Sequence, residues 1–205
     1  MFEQGGSRRI ANAPAYVRSD RGVHPNAVAG AIGILAVAIS VAFGPGAAGL
    51  LGAGLALLML AIATIDARSF LIPDSLNIAG VMLGIANAAV LGQGDLAVLT
   101  EAVLRAVLVA AAFLGLRLAY ARLRRRQGMG LGDVKLAAVA GAWLDWPVLP
   151  IAIEIAALSA LMIYGLRRYL LGHRLRPNVR LPFGLFFAPA IWIGWLLQTT
   201  VLRGW

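Results

Sequence analysis

The stretch GAAGLLGAGLALLMLAIATI, residues 46–65, contains no charged side chain. A helix that crosses the hydrocarbon core of a bilayer needs about 20 mostly apolar residues, and this segment has that length. Small residues recur along it, at Gly52, Ala53, Gly54 and Ala56, and small residues let neighbouring membrane helices pack closely. The segment therefore predicts a transmembrane helix inside a helical bundle.

Apolar runs of the same kind make up most of the remaining chain. They lie at roughly residues 27–43, 76–92, 96–120, 132–146, 147–166 and 181–202. The weakest is 132–146, which is short and is flanked by Asp133 and Asp145. Hydrophobic residues make up 60% of the 205 and charged residues 13%, a composition typical of membrane proteins. We predict an all-α, polytopic membrane helix bundle with about seven transmembrane helices.

The segment before the first run, residues 1–26, is polar, rich in arginine and without periodicity. No convincing signal-peptide cleavage site follows the first run, so we expect that run to be retained as a helix. We interpret residues 1–26 as a basic cytoplasmic tail on the membrane surface and residues 27–205 as one transmembrane domain.

The basic residues predict the orientation of the bundle. With the tail in the cytoplasm, the loops at 66–75, 117–131 and 167–180 lie on the same side and hold nearly all the positive charge. Basic residues concentrate in the cytoplasmic loops of membrane proteins, so we place the N-terminus of the chain in the cytoplasm. Arg105 is an exception on the outer half, where it can pair with Glu101 one helical turn away.

The net charge of +9 does not indicate nucleic-acid binding, because most of the basic residues sit in the tail and in short loops between apolar runs. We expect these loops to bind anionic lipid headgroups of the bilayer. The arginines concerned are Arg122, Arg124, Arg125, Arg126, Arg167, Arg168, Arg174, Arg176 and Arg180. Trp143 and Trp146 are expected at the outer membrane interface, where tryptophan is enriched.

Cysteine is absent, and histidine occurs only at His24 and His173. This composition excludes a disulfide, a thiolate nucleophile and a Cys-ligated zinc site, and it leaves too few histidines for a His-rich metal site. We therefore expect no metal and no cofactor.

Two aspartates share the cytoplasmic boundary in this topology. Asp66 follows the second apolar run and Asp133 begins the fifth. Ionisable residues at a membrane boundary are costly to desolvate and therefore indicate function. Two carboxylates in close contact cannot both ionise easily, so such a pair shares a proton and can act as general acid and base on a water molecule, as in aspartic peptidases. The alternative is an ordinary loop end between helices, where glycines and charges are also common.

Asp133 lies in the sequence GMGLGDVK at residues 128–135. Gly130 and Gly132 allow unusual backbone dihedrals and the close approach of an extended substrate. Asp133 is expected in a first helical turn, where the helix dipole favours its ionised form. Lys135 either tunes that charge or anchors at the headgroups, and we favour the anchor.

Three segments together resemble the type IV prepilin peptidases, a family of GxGD aspartic membrane proteases. MGLGDVKL at 129–136 is similar to the GxGD signature. Residues 66–77, which contain Ile-Pro-Asp-Ser-Leu-Asn, are similar to the family's first aspartate motif, and LPFG at 181–184 resembles its Pro-Phe-Gly segment. The resemblance covers roughly residues 46–200. Three motifs in the same order form a more specific signal than any one alone.

The resemblance implies that Asp66 and Asp133 are the catalytic aspartates and that Gly130 and Gly132 belong to the catalytic loop. It also implies that the substrate is the precursor of a type IV pilin or a pseudopilin, cut at the cytoplasmic face to remove its leader peptide. Further residues expected at the loop or near the substrate are Lys135, Asp74, Pro182, Phe183 and Gly184.

Asp74 is the rival of Asp66 for the first catalytic position. We prefer Asp66, because Asp74 follows Pro73 and its place is explained as the N-cap of the third helix.

The larger bacterial members of the family carry a further cytoplasmic domain with paired Cys-x-x-Cys motifs, which accompanies N-methylation of the mature pilin. This chain has no cysteine. It is therefore similar to the short form associated with Flp-type, tight-adherence pili, and we expect no methyltransferase activity.

Two other functions are compatible with boundary carboxylates. A small transporter or channel can use them to carry a cation or a proton, although no inverted repeat and no broken helix with central charges is visible in the sequence. An inactive scaffold for pilus assembly would keep the same fold, but the presence of both aspartates argues against it.

Overall fold

The computed structural model describes residues 25–44, 46–125, 128–171 and 182–201. These residues form seven α-helices and no strand, which confirms the predicted all-α fold. The helices are α1 (Pro25–Phe43), α2 (Ala47–Ser69), α3 (Asp74–Leu91), α4 (Leu96–Arg124), α5 (Leu131–Trp143), α6 (Val148–Leu171) and α7 (Phe183–Thr200). Each coincides with one predicted apolar run to within about five residues, since runs of this length form helices in a bilayer. Nearly all of the predicted tail lies outside the described residues.

Five of these helices, α2, α3, α4, α6 and α7, are long and apolar enough to cross a membrane. The described apolar part of α1 is slightly shorter, and α5 has only 13 residues. Large apolar side chains remain exposed along the outward faces of the long helices, for example Leu104, Val107 and Leu161. The chain is therefore an integral membrane protein whose helices present their outer faces to lipid.

The short helix α5 lies in the core of the bundle. It packs against α3, α4 and α7, and most of its side chains are buried, with Leu136, Ala137 and Val139 fully inaccessible. A helix of this length is about 20 Å long, which is less than the hydrocarbon thickness of a bilayer. The weakest predicted span is thus a core helix enclosed by the others.

Trp143 is buried among the helices and does not face lipid headgroups, so the prediction of an interfacial ring is wrong. The side chain is 1% exposed, and its indole N–H donates to the carbonyl oxygen of Gly80 at 2.9 Å. Its ring meets the ring of Trp195 edge-on at 6.4 Å. At the end of a core helix, a tryptophan packs inward because its ring fills the space between α3 and α7.

The end of the bundle that holds Trp143 is closed by polar contacts. Buried Arg105 pairs with Glu101 at 2.8 Å, as predicted, and also with Asp145 at 3.2 Å. The backbone N–H of Asp145 donates to the side-chain oxygen of Gln198 at 2.9 Å. These contacts join α4, the α5–α6 connection and the end of α7, since a buried arginine is tolerated only with such partners.

Close contact between α4 and α5 depends on Gly141. A Cβ atom at this position would lie 2.5 Å from the carbonyl oxygen of Arg105 and 2.7 Å from the Cα of Ala106, both backbone atoms that cannot move aside. We expect Gly141→Ala to lower the stability of the protein by about 1–3 kcal/mol, the usual cost of overpacking. Thermal unfolding of the purified protein in detergent measures this loss.

Gly115→Ala is the matched control, because Gly115 lies in α4 and a Cβ there would meet nothing within 4 Å. It should be neutral or slightly stabilising, since alanine is the better helix former. Equal unfolding temperatures for the two variants would contradict the packing role of Gly141.

Candidate active site

The predicted site residues come together at one end of the bundle, opposite the Arg105 cluster. Asp66 lies in the last turn of α2, Asp133 in the first turn of α5, and Gly184 in the first turn of α7. Ile72, in the connection between α2 and α3, lies against both glycine-containing segments. Three motifs that are far apart in the sequence therefore form one site.

Asp66 is buried and is held by the start of α7. Its side chain is 5% exposed, and its Oδ2 accepts a hydrogen bond of 2.9 Å from the backbone N–H of Leu185. The first N–H groups of a helix lack partners within the helix and carry partial positive charge. The helix α7 thus supplies the hydrogen-bond donor and the favourable field that a buried carboxylate requires.

The chain turns away directly after Asp66. Phe70 has a φ of 55° and ends α2 in the left-handed conformation. Its backbone N–H donates to the carbonyl oxygen of Asp66 at 2.9 Å. The chain can then pass Ile72 and Pro73 into α3. This turn places Ile72 beside the carboxylate and at the base of the site.

Gly184 permits the contact between α7 and Asp66. A Cβ at Gly184 would lie 2.8 Å from Asp66 Oδ2 and 2.8 Å from Ile72 Cδ1, which is closer than carbon atoms approach in proteins. The glycine of the Pro182-Phe183-Gly184 segment is therefore required for space beside the aspartate. Pro182 precedes the helix as its N-cap, where the missing N–H costs nothing.

Asp133 caps its own helix. Its Oδ2 accepts a hydrogen bond of 3.1 Å from the backbone N–H of Gly130, three residues earlier. A carboxylate in this position accepts from an otherwise unpaired donor and lies in the favourable field of the helix N-terminus. This geometry confirms the predicted place of Asp133 in a first helical turn.

The two glycines of the GxGD loop do not adopt unusual dihedrals, so that part of the prediction is wrong. Gly130 has φ −73° and ψ 155°, values open to any residue. Gly132 begins the helix, and a Cβ there would lie 3.1 Å from the Cβ of Ile72. The close approach at Gly132 is thus to Ile72 of the chain itself, and contact with a substrate stays a prediction.

Electrostatics couple the two aspartates. Asp133 lies in α5, outside the five candidate spans, and burial raises its pKa to about 6, opposed by the hydrogen bond from Gly130 and assisted by the negative charge of Asp66. A carboxyl group whose pKa is raised this far above its usual value exchanges its proton closer to neutral pH. The site can therefore hold a proton near neutral pH, as a shared-proton pair requires.

Asp74 and Lys135 pair with each other beside the site. Lys135 Nζ donates to Asp74 Oδ1 at 2.5 Å, and the side chains are 45% and 66% exposed respectively. The prediction that Asp74 caps α3 is wrong, because Pro73 occupies the N-cap position and Asp74 is the first helical residue. The ammonium group of Lys135 therefore contacts Asp74, and the preference for Asp66 as the catalytic residue stays a prediction.

Three contributors to the site were not singled out in the sequence. Ile72 lies within the first aspartate motif, but only its position between Gly132 and Gly184 shows its role. Arg117 donates from Nε to the carbonyl oxygen of Met129 at 3.1 Å. The N–H of Leu185 is a backbone group with no signal in the sequence.

No group of three or more His, Asp or Glu that could hold a metal occurs among the described residues. The absence of a metal from the reaction stays a prediction. His173 and most of the basic loop at 167–180 lie outside the described part of the chain, so lipid binding there also stays a prediction.

The fold and the site define a polytopic membrane protein with two aspartates, Asp66 buried and Asp133 half-buried, at one end of its helical bundle. The chain belongs to the type IV leader peptidase family, whose model matches residues 53–166, more than half of its length. The match includes Asp66, Asp74 and Asp133, and it ends before Pro182.

Relatives of this chain are named prepilin leader peptidase/N-methyltransferase. The protein of Aeromonas hydrophila is 32% identical over 171 residues, which are 83% of this chain and 57% of the relative. The protein of Dickeya chrysanthemi is 37% identical, with 78% of this chain and 54% of the relative covered. The protein of Burkholderia pseudomallei strain K96243 is 36% identical, with 77% of this chain and 50% of the relative covered. The chain spans about half the length of these curated relatives, and no solved structure matches it.

Proposed function

We propose that this protein is an aspartic endopeptidase that removes the leader peptide from type IV or Flp-type prepilins or pseudopilins. The observation that carries the proposal is the convergence of the Asp66 and Asp133 segments, from two different helices, on Ile72, which lies against both Gly132 and Gly184; the negative charge of Asp66 also acts on the pKa of Asp133. Family membership supports the same reaction. The basic loops and the positive-inside rule support a position in the bacterial inner membrane with the site at the cytoplasmic face.

We infer a role for each carboxylate oxygen from the hydrogen bonds that the two side chains accept. The hydrogen bonds from Leu185 and Gly130 both reach an Oδ2 atom. Each carboxylate thus accepts a backbone hydrogen bond at Oδ2, and we assign the Oδ1 atoms to the shared proton and the water. Positioned groups of this kind lower the barrier chiefly through orientation and proton transfer.

The reaction follows from one proton shared by Asp66 and Asp133. The ionised carboxylate takes a proton from the water while the water oxygen attacks the scissile carbonyl carbon. The protonated carboxyl group donates its proton to the carbonyl oxygen. The tetrahedral intermediate then breaks its C–N bond as the carboxyl group that took the proton from water donates it to the leaving nitrogen. The other carboxylate takes a proton from one hydroxyl of the intermediate, so that the new carboxylic acid is released and the pair again holds one proton. Because both aspartates titrate as a unit, either can begin as the base.

Co-expression with a leader-bearing Flp-type pilin precursor tests this function. We expect the wild-type chain to shorten the precursor on a gel, and the double variant Asp66→Asn with Asp133→Asn to leave it at full length. Immunoblotting of the membrane fraction verifies equal insertion. The reason for the loss is that asparagine accepts the same hydrogen bonds but cannot exchange a proton.

Asp95→Asn is the matched control for this experiment. Asp95 caps α4 at the opposite end of the bundle, where its Oδ1 accepts from the N–H of Ala97 at 2.8 Å. This variant should process the precursor like the wild type. A well-inserted wild type that processes no precursor, together with aspartate-dependent proton flux in proteoliposomes, would instead favour a transporter.

A further inference from the structure

The loop that carries Asp133 is held in place by α4. Arg117 donates from Nε to the carbonyl oxygen of Met129 at 3.1 Å. The backbone at Gly128 lies directly on the ring of Tyr120, so closely that a Cβ there would be 2.5 Å from Cε1. Residues 117 and 120 are three apart and lie on one face of the helix. This face of α4 therefore forms the support on which the loop rests.

The same face of α4 also contacts the start of α7. Phe113, one turn before Arg117, is buried and stacks on Phe187 with ring centroids 5.7 Å apart. Phe187 in turn packs against Phe183, the first residue of α7, with ring centroids 5.3 Å apart. These aromatic pairs join α4 to the start of α7, so Arg117 projects from a part of α4 that packs against the helix that binds Asp66.

The hydrogen bond from Arg117 falls on the peptide group that binds Asp133. The carbonyl of Met129 and the N–H of Gly130 belong to one peptide unit. Its oxygen accepts from the guanidinium, and its N–H donates to Asp133 Oδ2 at 3.1 Å. A cation at the oxygen end polarises the peptide and strengthens its N–H as a donor, because hydrogen bonds in a chain reinforce one another.

The environment of Arg117 differs from that of the other arginines near the end of α4. Arg117 is partly buried, whereas Arg122 and Arg124 are exposed, as expected for side chains that face headgroups. An arginine that only anchored the helix would not need to direct its Nε at the carbonyl that precedes Gly130. Its position matches a role in the site.

We propose that Arg117 is a positioning residue for the reaction: it orients the Met129–Gly130 peptide so that the peptide N–H holds the carboxylate of Asp133 in place. This inference rests on the proposed peptidase function. Arg117 acts through the loop, whereas Asp133 reacts with the substrate.

Steady-state cleavage of a precursor peptide by the purified full chain in nanodiscs tests the catalytic part. Arg117→Gln should lower kcat about 10- to 100-fold, since displacing a catalytic group by about 1 Å can cost this much. KM should stay within about twofold, because the contact is not to the substrate. Arg117→Lys should retain more activity than Arg117→Gln, and millimolar guanidinium should partly restore Arg117→Ala. Arg124→Gln is the matched control and should behave as the wild type.

Hydrogen–deuterium exchange of the loop peptide around residues 128–133 tests the structural part without any substrate. Exchange at the Gly130 amide should be faster in Arg117→Gln than in the wild type, and unchanged in Arg124→Gln. The rest of α5 should keep its protection in both variants, which separates a local effect from general unfolding.

The outcomes separate this inference from the proposed function. A wild type that cleaves no precursor overturns the function, and the exchange experiment alone then decides whether Arg117 orders the loop. If the wild type cleaves, the positioning role is overturned when Arg117→Gln leaves kcat unchanged or only raises KM. It is also overturned when the fall in kcat is relieved neither by lysine at position 117 nor by added guanidinium. Unaltered loop exchange, or lost protection along the whole of α5, also overturns it.

Discussion

Asp133→Asn and Asp66→Asn are each expected to reduce cleavage of a pilin precursor to below about one thousandth of the wild-type rate, since general acid–base groups contribute roughly 10²–10⁴-fold and the two act as one unit. The Asn side chain keeps an oxygen that can accept from Gly130 at position 133 and from Leu185 at position 66. Both variants should therefore insert and fold, while the shared proton is lost. Single-turnover cleavage in nanodiscs measures the rates.

Asp74→Asn distinguishes the two candidates for the first aspartate. Asp74 is 66% exposed and pairs with Lys135, and exposed ion pairs contribute only about 0–1 kcal/mol to stability. This variant should keep its rate to within about threefold. Loss of cleavage in Asp74→Asn with full activity in Asp66→Asn would show that the assignment of the two residues must be reversed. Asp95→Asn serves again as the control for a change of charge remote from the site.

Gly184→Ala is expected to have the second largest effect, a loss of about 100-fold in kcat. The new Cβ would lie 2.8 Å from Asp66 Oδ2 and 2.8 Å from Ile72 Cδ1. The end of the Ile72 side chain can rotate away at little cost. The Asp66 carboxylate cannot, because it is buried and bound to the N–H of Leu185. The substitution must therefore displace the carboxylate or the start of α7, and each change disturbs the alignment with Asp133.

Gly165→Ala is the matched control, because Gly165 lies in α6 and a Cβ there would meet nothing within 4 Å. Its rate and its unfolding temperature should equal those of the wild type. Equal kcat values for Gly184→Ala and Gly165→Ala would contradict the close contact between α7 and Asp66. A fall in the unfolding temperature of Gly184→Ala with unchanged kcat would support the close contact but contradict its effect on the alignment of Asp66 with Asp133.

The membrane bundle and the pairing of motifs could be predicted from the sequence because their signals are local. Each apolar run is long enough for a helix in lipid, where all backbone groups must be hydrogen-bonded within the segment. Alternating the direction of seven such helices places Asp66 and Asp133 at the same end without further information. The structure shows these two residues in one site, and their catalytic roles stay predictions.

The reason for each glycine could not be predicted, because it depends on contacts between distant parts of the chain. The composition of the GxGD loop suggested freedom of the backbone. In the structure, Gly132 and Gly184 instead make room for Ile72, and Gly184 also makes room for Asp66. The sequence showed that these positions are glycines, but it did not show which side chain occupies the space beside each glycine.

Trp143 and Asp74 are two residues for which a local sequence pattern gave the wrong prediction. The pattern around Trp143 is that of an interfacial residue, and the pattern around Asp74 is that of an N-cap. Trp143 is buried because α5 is enclosed by other helices, and Asp74 pairs with Lys135, which lies 61 residues away in the chain. Both outcomes depend on which helices are neighbours, a property that a single segment does not contain.

By itself, the sequence determined that this protein is a helical membrane bundle, where its helices begin and end to within a few residues, and which two aspartates share an end. These properties follow from hydrophobic length and charge, which act along the chain. Only the tertiary structure decided that α5 lies in the core, that the start of α7 binds Asp66, and that Arg117 reaches Asp133 through one peptide group. These contacts join residues up to 119 positions apart, and packing between helices, rather than any local pattern, selects them.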